Sequence, residues 1–326
     1  MPRASAIRKD LRLGLTELHE LWRLPLSRKI DLSLKCIEAT INAFERPALA
    51  WSGGKDSTVL LHLVMQFNDR IPIIFVDTGV LFPETVSFVR SLSHELDLNI
   101  HCVKPIPEED FWKTTDKYGW PIMGKSIAQS VGKANRSGNI RNTMSRVEKE
   151  LAIRKIHISG KCMEYTLEKP AKKKESELAV DVKFVGLMAS ESFTRIRLFV
   201  DHGTVYKVKH YYGRNKPITK ACPLYMWRED DIWEYMTKYN VPYCSLYDMG
   251  HTRNGCWTCA MGFRYGQLKR LRNSHPHLFD ELILNTRCGA ELFKIKNILS
   301  SESNSKHDIS ELKTIIAKDP AYFDRI

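Results

Sequence analysis

Leu49-Ala50-Trp51-Ser52-Gly53-Gly54-Lys55-Asp56-Ser57-Thr58-Val59-Leu60-Leu61 decides how this 326-residue chain is read. The apolar run ending at Trp51 predicts a buried strand, residues 52–57 a glycine-bearing turn, and Thr58 onward a helix carrying Val59, Leu60, Leu63 and Val64. Two adjacent glycines let the backbone turn its N–H groups toward an anion, and the helix N-terminus behind them adds partial positive charge. Lys55 supplies a full charge, while Ser52, Ser57 and Thr58 offer hydroxyls. A Walker A loop is excluded: it needs four residues between its first Gly and Gly-Lys-Ser/Thr, and here Lys55 is followed by Asp56.

Downstream, Ile71-Pro72-Ile73-Ile74-Phe75-Val76-Asp77 is a continuous apolar run of parallel-strand type, and Thr78-Gly79 then leads to Phe82-Pro83-Glu84-Thr85, the opening of a helix. Residues 99–103 form a third strand candidate, with Cys102 expected to pack within it, and Phe184-Val185-Gly186-Leu187-Met188 a fourth. The alternation predicts an α/β fold with a doubly wound parallel sheet that binds ligands at the carboxyl ends of its strands. Residues 52–57, Asp77, Thr78 and the polar group Glu191, Ser192 and Arg195 all fall at such ends. Upstream, residues 1–46 read as helices with stripes of Leu11, Leu15, Leu18 and of Leu32, Ile37, Ile41; Ser27 or Asp31 is the expected cap of the second helix. A further strand and turn over residues 205–213 precede a helix starting at residues 228–231 and running to Tyr239.

The length suits one large or two modest domains, and 43% hydrophobic residues suffice for a real core. The domain reading is N-terminal helices over 1–45, a nucleotide-binding α/β domain over 46–220 with a basic helical insertion at 111–174, a cysteine-bearing helical region over 221–299, and a tail over 300–326 that links to a short helix at residues 310–317. Within the insertion, helices are expected to flank a flexible loop at residues 132–138. No apolar run approaches the roughly 20 residues that span a bilayer, and residues 1–17 are too charged for a secretory signal, so a cytoplasmic protein without membrane contact is expected. The net charge of +12 is unevenly placed, with 15 Lys/Arg against 5 Asp/Glu between Lys113 and Lys174. A one-signed segment of this kind reads either as a solvated basic face or as a surface for nucleic acid or nucleotide phosphates, since such clusters are the electrostatic footprint of polyanion binders.

Eight cysteines are too sparse for a disulfide scaffold. Cys244, Cys256 and Cys259 lie within 16 positions, the last two as C-x-x-C, and so point to a metal or cluster site that needs a fourth ligand from Cys162, Cys222, Cys288 or His251.

The six-residue core Ser52-Gly53-Gly54-Lys55-Asp56-Ser57 resembles the pyrophosphate (PP) loop of the ATP pyrophosphatase superfamily. Together with Asp77-Thr78-Gly79, residues 82–85, Glu191-Ser192 with Arg195, residues 223–227 and Gly255-Cys256-x-x-Cys259, it makes the chain similar to the phosphoadenosine phosphosulfate (PAPS) reductase family from about residue 29 to 298. The resemblance implies an adenine nucleotide α-hydrolase-like sheet with the nucleotide at its edge, held by residues 52–58, Asp77, Thr78, Gly79, Glu191, Ser192 and Arg195. It also implies Cys162, Cys244, Cys256 and Cys259 as ligands of a [4Fe-4S] cluster, with zinc the second metal and Cys222 the reserve ligand.

A sulfonucleotide reductase of that family carries Glu-Cys-Gly-Leu-His near its C-terminus, whereas this chain has Arg287-Cys288-Gly289-Ala290-Glu291. It is similar instead to the DNA phosphorothioation ATP pyrophosphatases, which implies ATP and Mg²⁺ as cofactors, a nucleic-acid acceptor (DNA ahead of tRNA), a cysteine desulfurase as sulfur donor, and a homodimer as a further expectation. Lys55, Asp56, Ser57 and Asp77 are then the expected catalytic residues, with the metal on Asp56 or Asp77. Release of sulfite from PAPS by Cys288, and a docking platform without catalysis, are the alternatives.

Overall fold

The computed structural model describes residues 4–208, 217–299, 312–319 and 321–324. In chain order the helices are α1 (Ala4–Arg23), α2 (Leu26–Ala43), α3 (Lys55–Met65), α4 (Pro83–Glu95), α5 (Phe111–Tyr118), α6 (Lys125–Ser137), α7 (Arg146–Ile153), α8 (Lys169–Glu177), α9 (Phe193–His202), α10 (Glu229–Lys238), α11 (Gln267–Ser274), α12 (Pro276–Leu284), α13 (Arg287–Leu299) and α14 (Leu312–Lys318). The strands are β1 (Pro47–Ala50), β2 (Ile73–Val76), β3 (Ile100–Val103), β4 (Val182–Val185), β5 (Val205–Val208) and β6 (Ile218–Ala221). The chain divides into two compact units: Met1–Val76, Pro83–Val103 and Ala171–Ser245 form the first, and Asp77–Phe82, Lys104–Pro170 and Leu246–Ile326 the second.

The first unit holds the whole sheet, ordered β3-β2-β1-β4-β6-β5 and parallel except for the β5–β6 pair. The α/β expectation therefore holds. From β1 the chain winds through β2 to β3 and then returns to β4 on the other side of β1, so the strand order reverses between β1 and β4. Loops leaving two such strands diverge and open a crevice at their carboxyl ends. Ala48 and Leu49 of β1 and Val182 and Phe184 of β4 are fully buried, so both strands run through a dry core. Lys29 of α2, 2% exposed, is held by Asp231 at 2.6 Å and by the Trp22 carbonyl at 3.1 Å.

The second unit is helical. α6 packs on α7, α7 on α13, and α11 on α12. The fully buried Glu291 of α13 accepts from the His157 N–H at 2.9 Å and pairs with Lys294 at 3.0 Å and Arg287 at 3.4 Å. Short bridges join Trp120 to Ile158, Ile122 to Ala260, and Leu81 to Cys256.

Several local expectations change. Neither Ser27 nor Asp31 caps α2: the helix starts at Leu26 behind Pro25, whose extended backbone (φ −63°, ψ 152°) sets the boundary. Residues 132–138 are not a loop, because α6 runs to Ser137 and stops at Gly138 in the left-handed region (φ 67°). Gly132 is helical and closely packed, a Cβ there standing 2.8 Å from the Ile158 carbonyl oxygen. β4 begins at Val182 and ends before Gly186 rather than spanning 184–188, and Cys102 is exposed. The turn expected over 209–213 and the linker from residue 300 to 311 lie outside the described residues; the final helix is seen from Leu312.

Candidate functional site: the phosphate loop and the thiols

The turn after β1 is built by its own hydroxyls. The Gly54 carbonyl accepts from Thr58 N–H, Ser57 Oγ and Thr58 Oγ1, each at 2.9 Å. Ser52 N–H donates to Ser57 Oγ at 3.2 Å, the two serine hydroxyls lie 3.1 Å apart, and Gly54 N–H donates to Ser52 Oγ at 3.3 Å. Trp51 Nε1 donates to Thr58 Oγ1 at 3.0 Å, tying the loop to the core. Gly53 sits at φ 72°, a conformation that an L side chain rarely adopts, and this lets the chain reverse into α3. Ser52, Ser57 and Thr58 thus shape the loop.

Lys55, 6% exposed, is the first residue of α3 and lies 3.4 Å from Asp56 Oδ1 and 3.3 Å from Glu229 Oε1. Burial raises the Asp56 carboxyl above the usual aspartate range, opposed by the Lys55 ammonium. Asp56 Oδ1 is buried, and the Lys55 ammonium at 3.4 Å is its ion-pair partner. A buried carboxylate beside an anion loop fits Mg²⁺, which takes one or two carboxylates and completes its shell with water and substrate phosphate.

Across the strand-order reversal, the segment after β4 supplies the remaining first-unit residues. Glu191 accepts from Met188 N–H at 3.2 Å and forms an ion pair with Arg195. Ser192 caps α9, accepting from Arg195 N–H at 3.3 Å. Gly186 comes so close to the loop that a Cβ would stand 3.0 Å from Ser57 N. Gly186 and Glu229 were not among the sequence candidates. Glu229 had no motif to mark it, whereas Gly186, a glycine interrupting an apolar strand run, carried the signal of close backbone approach.

Asp77, Thr78 and Gly79 belong to the second unit. Asp77 Oδ1 accepts from Gly79 N–H at 2.9 Å, its Oδ2 lies 3.3 Å from Lys104 Nζ, and Gly79 is at φ 80°. Thr78 Oγ1 stands 3.3 Å from Cys256 Sγ, so this turn abuts a thiol. Cys162 starts a π-helical turn (Met163–Glu168), and burial pushes its thiol up to about 12, with Cys259 and Cys256 close enough to add to the rise. Burial likewise lifts Cys256 to about 11 and raises Cys259. Fully buried Cys288, at the start of α13, is raised well above a free thiol by burial and then by Cys259.

Cys162, Cys256, Cys259 and Cys288 are therefore neighbours within the second unit. Cys244 lies in the first unit, its Sγ 3.9 Å from Thr85 Oγ1. Cys222, the reserve ligand, is enclosed in the first unit's core with Ala189, Tyr225 and Leu18. Buried thiols are the right donors for a cluster or zinc, but among the described residues no group of three or more His, Cys, Asp or Glu is arranged to hold a metal ion. His251 instead bonds Ser274 Oγ at 2.7 Å. No helix among the described residues is long and apolar enough to cross a membrane.

A family profile described as phosphoadenosine phosphosulfate reductase domain matches residues 46–261. A phosphoadenosine 5'-phosphosulfate reductase of Xylella fastidiosa is 29% identical over 66% of this chain and 72% of its own length. An uncharacterized protein of Methanocaldococcus jannaschii is 27% identical over 72% of this chain and 46% of its own. A PAPS reductase from Candida auris, crystallised as a phosphate complex, aligns with a TM-score of 0.46 at 20% identity, covering 69% of this chain and 88% of that one.

Proposed function

This chain belongs to the phosphoadenosine phosphosulfate reductase domain family, and from that premise we propose that it is an ATP pyrophosphatase that adenylates a nucleic-acid oxygen so that sulfur can replace it. The observation that carries the reading is the loop at residues 52–58, with Lys55 at a helix N-terminus beside the buried Asp56 carboxylate. This arrangement suits a polyphosphate carrying a divalent cation.

In the proposed reaction, the Gly53–Gly54 backbone and the first turn of α3 orient the β and γ phosphates, and Lys55 neutralises charge that builds on the leaving pyrophosphate. An acceptor oxygen attacks the α-phosphorus, the α–β bridging P–O bond breaks, and its electron pair leaves with pyrophosphate. A cysteine desulfurase delivers its sulfur as a persulfide, whose terminal sulfur attacks the adenylated centre and expels AMP with the former acceptor oxygen; a thiol reductant then supplies two electrons to cleave the remaining S–S bond and leave the thio product. Mg²⁺ held by Asp56 would screen the phosphate charge. Arg195, already paired with Glu191, is placed after β4, on the other side of the strand-order reversal, to meet a substrate phosphate once that pair opens.

Reduction of PAPS is the second reading, favoured by the identity with the Xylella fastidiosa reductase. Cys288 speaks against it: a thiol fully buried and held protonated is a poor nucleophile toward sulfur. The test incubates protein, Mg²⁺, ATP, a cysteine desulfurase with cysteine, and DNA or tRNA, and then examines nuclease digests by mass spectrometry. An oxygen-to-sulfur mass increase that requires ATP and is lost in Lys55→Ala is expected. Sulfite release from PAPS with thioredoxin, abolished by Cys288→Ser, would install the reductase reading.

A further inference from the structure

From Lys117 to Val147 the chain contains no acidic residue, and α6 lies inside that stretch. Lys125, Gln129, Lys133 and Arg136 are all exposed. At about 100° per residue they fall within about 80° of arc on one face of the helix. The opposite side is made of small buried residues, Ala128, Val131 and Ala134. The loop that follows adds Arg141 and Arg146, also exposed.

Nearby carboxylates do not cancel this charge. Glu148 is spent on the Ser145 cap, accepting its N–H at 2.7 Å, and Glu150 pairs with Arg154 at 2.6 Å. Among the described residues Lys125, Lys133 and Arg146 form no ion pair, and Arg141 meets Glu148 only through the longer-range field.

α6 is fastened to the segment that leads into Cys162. Asn135 Nδ2 donates to the Ile156 carbonyl at 2.8 Å, and Gly132 packs against Ile158. Gly160 lies between Gln129 and Met261: a Cβ there would meet Gln129 Cγ at 3.1 Å and Met261 Cε at 3.7 Å. Gln129 belongs to the basic face, Gly160 is two residues before Cys162, and Met261 is two residues after Cys259. The basic face is thus contiguous with the thiol segment of the same unit.

We propose that the Lys125–Gln129–Lys133–Arg136 face of α6, extended by Arg141 and Arg146, binds the phosphodiester backbone of a nucleic-acid strand and carries it alongside residues 160–162. From Lys125 to Arg136 the face is about 16 Å long at about 1.5 Å per residue, enough for several consecutive phosphates, whereas a lone nucleotide would occupy only one end. The substrate class deepens the adenylation reading and rests on it for the purpose of the docking, but the contact itself does not require ATP.

The test measures anisotropy of fluorescein-labelled single-stranded DNA, duplex DNA and single-stranded RNA against the full chain between 50 and 300 mM KCl (roughly, the range over which counterion release is read). The variant is Lys125→Gln/Lys133→Gln/Arg146→Gln, with ATP affinity measured on the same preparations. Each lost phosphate contact reduces the salt slope by about 0.7–0.9. The triple variant is therefore expected to lose about 2–3 units of slope and to bind at least about tenfold more weakly at 100 mM, with its ATP affinity and melting temperature unchanged. The arm bound most tightly identifies the nucleic acid. Equal affinity and slope in variant and parent, or no salt-dependent binding to any of the three, would overturn the proposal while leaving the ATP site standing. If nucleic-acid binding falls as expected but ATP does not bind to the parent, the adenylation reading fails and the docking face survives.

Discussion

Replacing Gly186 with alanine should damage the phosphate loop from outside it. The new Cβ would stand 3.0 Å from Ser57 N and 3.1 Å from both Asp56 C and Ser57 Cα. Comfortable contact between such atoms begins near about 3.5 Å, so one backbone must yield by roughly 0.5 Å. The neighbours on either side have little freedom: Leu49 in β1 and Val59 and Leu60 in α3 are fully buried, and the obstructing atoms are main chain rather than the end of a mobile side chain. Overpacking of this kind costs about 1–3 kcal/mol, and the turn between the two rigid elements is where the displacement is absorbed. A loss of about 1.4 kcal/mol in nucleotide binding is tenfold in Kd. Calorimetric titration with a non-hydrolysable ATP analogue and Mg²⁺ should show about a tenfold weaker Kd for Gly186→Ala, and a melting temperature lower by a few degrees. Unchanged affinity alongside a lowered melting temperature would refute the reasoning, because the loop would then be strained without being the nucleotide site.

Other consequences are equally direct. Asp231→Ala strands the Lys29 ammonium, 2% exposed, with one carbonyl as its remaining partner. It should therefore cost about 3–5 kcal/mol in urea denaturation, whereas Lys29→Met/Asp231→Leu together should cost less than Asp231→Ala alone. Glu291→Ala removes the acceptor shared by His157 N–H, Arg287 and Lys294 and should destabilise the second unit by about 2–3 kcal/mol, read by hydrogen exchange across α7 and α13. Iodoacetamide at pH 8 should label the exposed Cys102 and leave Cys222 and Cys288 unmodified until denaturant is added, as peptide mass mapping would show. Burial raises the Cys222 thiol to about 11. Its folded pKa exceeds the unfolded one, so its contribution to stability is intact below about pH 8.5 and falls by about 1.4 kcal/mol per pH unit as pH rises toward 11. Cys222→Ala should flatten that part of the pH–stability curve.

The sheet was legible because β1 and β2 are continuous apolar runs bounded by turn chemistry, which is how a strand buried on both faces has to read. The turn at residues 52–57 was legible for a similarly local reason: two adjacent glycines between an apolar run and a helical pattern mark the place where the strand ends and the helix begins. Where the sequence reading missed, distant parts of the chain made the decision. Glycine at 132 suggests a loop by propensity, but the approach of Ile158, 26 positions away, requires a residue without a side chain inside α6.

Which bond of ATP is cut at the loop of residues 52–58 is read from ³¹P NMR of ATP turnover. With Mg²⁺ and a nucleic-acid acceptor present, pyrophosphate should appear together with AMP or an adenylated acceptor, and both should vanish in Lys55→Ala. Formation of ADP and orthophosphate, or an inert ATP spectrum beside steady release of sulfite from PAPS, would contradict the account.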